Sequence, residues 1–176
     1  METIIQIAPP SRDEYPEWFA GEIEQAKYED LLYGLEDSFH KTITFLHHIR
    51  EDKLLFPYAP GKWTIKELWQ HVIDVERVLS YRALRYARHD TTVLPGFDEK
   101  SYAEYSNGNH RNWDDLLEEY TVVRQSTIWL FRSFTPATIM LKGTSGHSQL
   151  TVRAVGFLIL GHEIHHVRII KERYLT

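Results

Sequence analysis

Two histidines near the end of the sequence have the spacing of metal ligands. His162 and His166 stand four residues apart in Gly-His-Glu-Ile-His-His, within a segment whose apolar residues recur every three or four positions. Residues four apart lie on one face of a helix, so both imidazoles can reach a single ion. Both also interrupt an apolar stripe, at positions where leucine or isoleucine is usual. The alternative is a pair of core histidines satisfied by hydrogen bonds.

His71 is the best candidate for a third ligand. It lies beside Leu68 and Val75, at the edge of the apolar stripe of an earlier predicted helix. A catalytic zinc site has three protein ligands and one open position, and helix bundles build such sites between facing helices. Because the chain has no cysteine, histidine and carboxylate must supply the ligands. Taken alone, His71 is typical of an interfacial core histidine.

Two carboxylates adjoin these histidines. Asp74 lies one helical turn after the histidine of the earlier helix, and Glu163 follows His162 directly. Either can orient a ligand imidazole or accept a proton as a catalytic base, and the alternative for each is a solvated helix carboxylate. His165 can replace His166 as a ligand on geometry alone.

The same segment matches the His-Glu-x-x-His pattern of zinc peptidases. Those enzymes take a third ligand downstream, and the metzincin form requires glycine at position 169 and histidine at position 172. The chain has Ile169 and Glu172 instead. The sequence therefore disfavours a peptidase.

Four segments carry the apolar periodicity of amphipathic helices, at about residues 29–49, 64–88, 112–134 and 149–174. Thr64 and Glu67 form a capping box at the start of the second, and Asn112 is a good N-cap for the third. No segment alternates apolar and polar residues, so we expect no sheet. The pattern predicts an all-α four-helix bundle, and the long link 89–111 is typical of a crossover or a functional loop.

Composition narrows the class of protein. The chain has 176 residues, 43 % of them hydrophobic and 26 % charged, which is typical of a globular protein. We predict a single domain over residues 1–176, with an irregular segment at 1–27 because Pro9, Pro10, Pro16 and Gly21 interrupt any helix there.

Charge and hydropathy exclude two classes of partner. A net charge of −5 leaves no surplus of lysine and arginine to neutralise phosphates, so a general nucleic-acid binder is excluded. No stretch approaches the roughly 18 apolar residues of a membrane span, and the first residues lack the pattern of a secretory signal. We therefore expect a cytoplasmic protein without a membrane partner.

The segments around the three histidines resemble those of the DinB-like superfamily. Residues 62–67 and 69–77, Lys-Trp-Thr-Ile-Lys-Glu and Trp-Gln-His-Val-Ile-Asp-Val-Glu-Arg, are similar to its first histidine motif. Residues 81–85 and 94–98 continue that pattern, and residues 161–166 are similar to its second motif. The resemblance extends over about residues 31–173.

The resemblance implies an up-down-down-up bundle that holds one divalent ion, zinc or nickel, through His71, His162 and His166. It also implies a homodimer. The superfamily includes bacillithiol S-transferases, mycothiol-dependent enzymes and members described as metal-dependent hydrolases. Fold and ligands therefore transfer to this chain, whereas the reaction does not.

The function predicted is that of a metal-dependent enzyme acting on a small molecule. Neutral imidazoles leave the full charge of the ion to activate water or a thiol, which predicts a hydrolase or a thiol S-transferase using a low-molecular-weight thiol. Arg82 and Tyr105 are candidates for substrate binding, although Arg82 is equally suited to an ordinary salt bridge. The alternative is a non-catalytic, stress-related metal- or ligand-binding protein, whose site a fourth protein ligand would close.

Overall fold

The computed structural model describes residues 5–175, so the first four residues of the predicted irregular segment and Thr176 lie outside the described part. The helices are α1 (Ala20–Ile23), α2 (Leu31–His47), α3 (Ile65–Ala87), α4 (Glu99–Tyr105), α5 (Trp113–Arg132) and α6 (Val152–Ile169), and a wider final turn, Ile170–Tyr174, continues α6. The strands are β1 (Lys142–Ser145) and β2 (Ser148–Thr151). The four long helices are those predicted from periodicity, with ends that differ by a few residues.

Side-chain caps fix where the long helices begin. The predicted capping box is present: the Thr64 hydroxyl accepts from the backbone N–H of Glu67, whose carboxylate accepts from the backbone N–H of Thr64. Asn112 caps α5 as predicted. Asp30 and Thr151 cap α2 and α6 in the same way. These caps satisfy backbone donors that a helix leaves without partners.

The expectation that no sheet is present is wrong. Strands β1 and β2 form an antiparallel hairpin, in which Lys142 pairs with Thr151. The turn contains Gly146 at a φ of +58°, a conformation that glycine adopts without strain. The fourth helix, predicted to begin near residue 149, begins three residues later because β2 occupies those positions. Gly143 in β1 lies against Tyr86, whose ring would stand 1.8 Å from a Cβ at that position.

The link between α3 and α5 is hydrogen-bonded to this hairpin. The backbone N–H of Leu94 donates to the carbonyl of Thr144, and the backbone N–H of Gly146 donates to the carbonyl of Leu94. The link then forms α4, which packs on α3. In the N-terminal segment the structure likewise forms one helical turn, α1, at a place where the sequence predicted none.

Residue pairs between neighbouring helices give the direction of each. They are Leu31–Gly156 and Thr42–Glu163 for α2 and α6, Trp69–Tyr120 and Ser80–Thr127 for α3 and α5, and Trp63–Tyr174 and His71–His162 for α3 and the α6 end of the chain. In the first two sets the residue numbers of both helices increase in the same direction, so α2 is parallel to α6 and α3 is parallel to α5. In the third set one number increases as the other decreases, so α3 is antiparallel to α6. The bundle is therefore up-down-down-up, and the parallel pair α3 and α5 explains why the link between them must cross over.

A polar layer divides the core of the bundle. Apolar residues near the start of α2 and α6 pack with the end of α3, and a second apolar cluster joins the end of α2 to the starts of α3 and α5. Between the clusters lie the buried polar side chains Ser38, Thr42, His71, Glu76, Arg124, His162 and Glu163. In the part of the chain that the structure describes, every helix is too short or too polar to cross a membrane.

Candidate metal centre

The structure brings His71, His162 and His166 together between α3 and α6. One nitrogen from each ring lies within 4.8 Å of the others. The Nε2 atoms of His71 and His166 each lie 3.1 Å from Nε2 of His162. With zinc–nitrogen bonds of about 2.0–2.1 Å, a tetrahedral ion separates its ligand atoms by about 3.3–3.4 Å. Two of the three nitrogen separations are thus close to those that one ion imposes, and the third lies within 4.8 Å.

Local packing fixes the position of these rings. The Trp63 ring, just before α3, packs against the His71 imidazole at 4.9 Å between centroids. On α6, Gly161 precedes the first ligand, and a Cβ there would lie 2.0 Å from the backbone oxygen of Glu22. The backbone of α1 therefore lies directly on α6 beside His162, a close approach that only glycine permits.

Burial keeps the three imidazoles neutral. It lowers the pKa of His71 to about 4 and the pKa of His166 to about 3, the latter with a smaller contribution from His71 and His165. Burial, followed by the neighbouring histidines, lowers the pKa of His162 well below its usual value. At neutral pH the rings therefore carry lone pairs rather than protons, as metal ligation requires.

These features fit a divalent cation. Neutral rings whose Nε2 atoms converge at 3.1 Å bring lone pairs face to face unless a proton or a cation lies between them. Three imidazoles suit zinc, nickel, copper and iron. Within residues 5–175 the cluster contains no fourth histidine, aspartate or glutamate.

His165 lies outside this cluster. Its Nδ1 lies 3.4 Å from the Arg168 guanidinium, and its ring packs beside that of His166 at 5.1 Å. Of the two neighbouring histidines, the structure turns His166 towards His71.

Glu163 faces the bundle core rather than the histidines. Its carboxylate accepts hydrogen bonds from Ser38 (2.6 Å), Thr42 (2.7 Å) and Tyr120 (2.8 Å) and is ion-paired with Arg124. Only 1 % of the residue is exposed. The contacts found for Glu163 in the described chain are thus with α2 and α5, and its predicted catalytic role remains a prediction.

Sequence reasoning missed the partners of Glu163. Arg124 is fully buried and donates to both carboxylate oxygens of Glu76, at 2.9 and 2.8 Å. Glu76 and Arg124 lie within the apolar stripes of α3 and α5. A charged residue in such a stripe indicates either that the stripe is interrupted or that the residue forms a buried ion pair. On α5 this signal was present, because Arg124 and Thr127 occupy the positions after Val123 where the apolar stripe would continue.

Of the other predicted residues, Asp74 and Tyr105 line one cavity between α3 and α4, whereas Arg82 lies elsewhere on α3. Asp74 accepts a hydrogen bond from Gln70 at 3.0 Å, and burial raises the pKa of its carboxyl. With Tyr105 and residues of the link it lines a cavity of about 400 Å³. Arg82 lies further along α3, where its guanidinium donates to the carbonyl of Pro95 at 3.3 Å.

A carboxyl on α1 with a raised pKa carried no signal in the sequence. Glu22 is half-buried on α1, and burial followed by the charge of Glu99 raises the pKa of Glu22 to about 7. Its backbone contacts α6 at Gly161. Such a group is able to exchange protons near neutral pH.

Comparisons with known proteins identify the family and the fold of this chain. Residues 35–170 match the model of the DinB superfamily. Among solved structures the chain is similar to YfiT from Bacillus subtilis, described as a probable metal-dependent hydrolase with an unusual four-helix bundle topology. The TM-score is 0.71 at 20 % identity, over 81 % of this chain and 82 % of that one. No curated protein matches the sequence. Since the family model spans most of the sequence, the chain belongs to the DinB superfamily.

Proposed function

We propose that this chain is a divalent-metal-dependent enzyme that activates water or a thiol for reaction with a small molecule. The proposal makes it a hydrolase or a thiol S-transferase. One observation carries it: two buried imidazoles and one half-buried imidazole converge between α3 and α6, and no fourth histidine, aspartate or glutamate of the described residues joins them. A structural zinc site is closed by four protein ligands, whereas a catalytic site keeps one position open.

Zinc or nickel is the ion we propose for His71, His162 and His166. When bound, such an ion acts as a Lewis acid that lowers the pKa of a water or thiol at the open position. The chain contributes neutral rings, which do not need to lose protons at pH 7, and a rigid setting for them. The network around Glu163 fixes the rotation of α6, so that His162 and His166 face α3.

The cavity beside Asp74 is where we propose that the substrate lies. Asp74 is one helical turn from His71, and residues three apart on a helix are neighbours. Its carboxyl can accept a hydrogen bond or a proton from the substrate, and a raised pKa favours that role. Tyr105 at the rim is 82 % exposed, so its ring is free to close over a bound molecule. Arg82, held by the link, is a weaker candidate.

The thiol in a transferase reaction must come from the cosubstrate, because the chain has no cysteine. This points to a low-molecular-weight thiol as the partner. Following the family resemblance, we also propose a homodimer, which light scattering of the purified protein tests directly.

The test is a paired activity measurement on protein loaded with zinc or nickel. One assay follows thiol loss in the presence of monobromobimane, and the other follows release of p-nitrophenol from p-nitrophenyl esters. The variant is His71→Ala, and the matched control is His47→Ala on the exposed face of α2. The proposal predicts metal-dependent turnover in one assay, lost in His71→Ala and kept in His47→Ala. Metal-loaded protein inactive across a panel of thiols and esters would favour a non-catalytic metal-binding protein.

A further inference from the structure

A groove of about 600 Å³ lies on the side of α6 that faces α2. Along α6 and its final turn the groove is lined by Glu172 and by four residues spaced at three and four, which are Ile164, Val167, Arg168 and Lys171. That spacing puts them on one stripe of the helix. The metal ligands occupy a different stripe, which faces α3. The groove is therefore separate from the metal centre.

The groove concentrates positive charge in an acidic protein. It is lined by four cationic side chains and one carboxylate, which are Lys27, Lys41, Arg168, Lys171 and Glu172. The net charge of the chain is −5, so this surplus is local. Among the described residues, Lys41 is the only one of the four cations with a carboxylate within 4.0 Å, that of Asp37. Lys27, Arg168 and Lys171 thus have no carboxylate partner in the described part of the chain. The Arg168 guanidinium lies 3.4 Å from His165 Nδ1, and the Lys171 ammonium lies 4.7 Å from the centre of the Phe45 ring, so neither charge is neutralised by these contacts.

The floor of the groove suits an apolar group. Ile164 and Val167 are half-buried there, and the Tyr28 ring forms part of one wall. Ser38 and Thr42 are each 4 % exposed, and their hydroxyls already donate to Glu163. Their donors are thus used, and the exposed surface that remains is mainly hydrocarbon and aromatic.

We propose that this groove binds a small organic anion, independently of the metal centre. A phosphate or carboxylate would be held by Lys27, Arg168 and Lys171, with an apolar body against Ile164 and Val167. The volume lies within the range of small-molecule sites, which combine an apolar lining with a few polar groups. Unpaired cations around a concave surface also raise the local concentration of anions.

The experiment measures binding of 1-naphthyl phosphate to metal-loaded protein by calorimetry. The variant Lys27→Gln/Lys171→Gln removes two groove charges that lie at least five residues from any ligand histidine. The control Lys62→Gln/Lys100→Gln removes two exposed charges elsewhere, so both proteins have the same net charge. Inorganic phosphate serves as the anion without an apolar body. The titration is repeated on His71→Ala, since phosphate esters also bind metal ions.

The proposal predicts one site per chain, with a Kd for 1-naphthyl phosphate lower than that for inorganic phosphate. The groove variant should bind about fivefold or more weakly, because two charge contacts are lost. The control variant and His71→Ala should bind as the wild type does. The absence of binding at millimolar concentrations would overturn the proposal. Equal weakening in the two lysine variants, or binding that disappears in His71→Ala, would overturn it as well.

Discussion

Replacement of Arg124 by methionine should destabilise this protein more than any surface substitution. The guanidinium has no exposed surface and holds two carboxylates, those of Glu76 and Glu163, which are 2 % and 1 % exposed. It also donates to the backbone carbonyl of Leu35 at 3.3 Å. Methionine has a similar length but no charge, so the change leaves two buried carboxylates without their cation.

The size of the effect follows from burial. Removing one partner of a buried ion pair costs about 3–5 kcal/mol, because the remaining charge stays desolvated. Here a single guanidinium serves two acids, so we expect a loss towards the upper end of that range. The matched control is Arg132→Met on the same helix, where the ion pair with Glu36 is 36 % and 41 % exposed. Exposed pairs contribute only about 0–1 kcal/mol.

Urea unfolding followed by circular dichroism at pH 7 gives both free energies of unfolding. The buried network predicts a difference of at least about 2 kcal/mol between Arg124→Met and Arg132→Met. Equal losses in the two variants would refute the reasoning, since they would mean that the polar layer is as well hydrated as the protein surface. If Arg124→Met does not fold, its expression as aggregate beside soluble Arg132→Met agrees with the prediction.

Three further predictions concern the histidines and the hairpin. Burial lowers the pKa of His71 to about 4 and that of His166 to about 3 in the folded protein. Each histidine therefore contributes to the free energy of unfolding above a pH of about 6.5, its pKa in the unfolded chain, and this contribution is lost as the pH falls towards the pKa in the folded protein. Metal-free protein should thus lose unfolding free energy between about pH 6.5 and 4, and a flat profile would contradict this. His166→Gln should weaken zinc binding about 10-fold or more in a chelator competition assay, whereas His165→Gln should leave it unchanged; equal effects would contradict the assignment. Gly143→Ala should lower stability by about 1–3 kcal/mol in thermal melts, because its Cβ meets the Tyr86 ring; an unchanged melting temperature would contradict that contact.

Much of the fold could be predicted because local signals agree with the tertiary structure. The Thr64 and Asn112 caps mark helix starts that the structure confirms, and apolar periodicity locates all four long helices. The hairpin could not be predicted in this way. Its strands are four residues long and rich in glycine, serine and threonine, so no alternation develops, and pairing depends on contacts with Tyr86 and the link.

The candidate site was predictable in part. Histidines inside apolar stripes are conspicuous, and the structure brings the three together. The surroundings were harder to predict, because a polar residue on a helix is usually solvated. Glu163 is instead held by side chains 125 and 121 residues away in sequence, Ser38 and Thr42. Such contacts depend on how whole helices pack, which periodicity does not reveal.

Metal content is the most direct test of the central claim. Elemental analysis by mass spectrometry would be made on wild-type protein, on His71→Ala and His162→Ala, and on the exposed control His47→Ala. We predict about one zinc or nickel ion per chain in the wild type and the control, and loss of the ion in both ligand variants. Wild-type protein that contains no divalent metal, cannot be loaded with zinc or nickel, and gains no thermal stability from either ion would show that the three histidines are core residues.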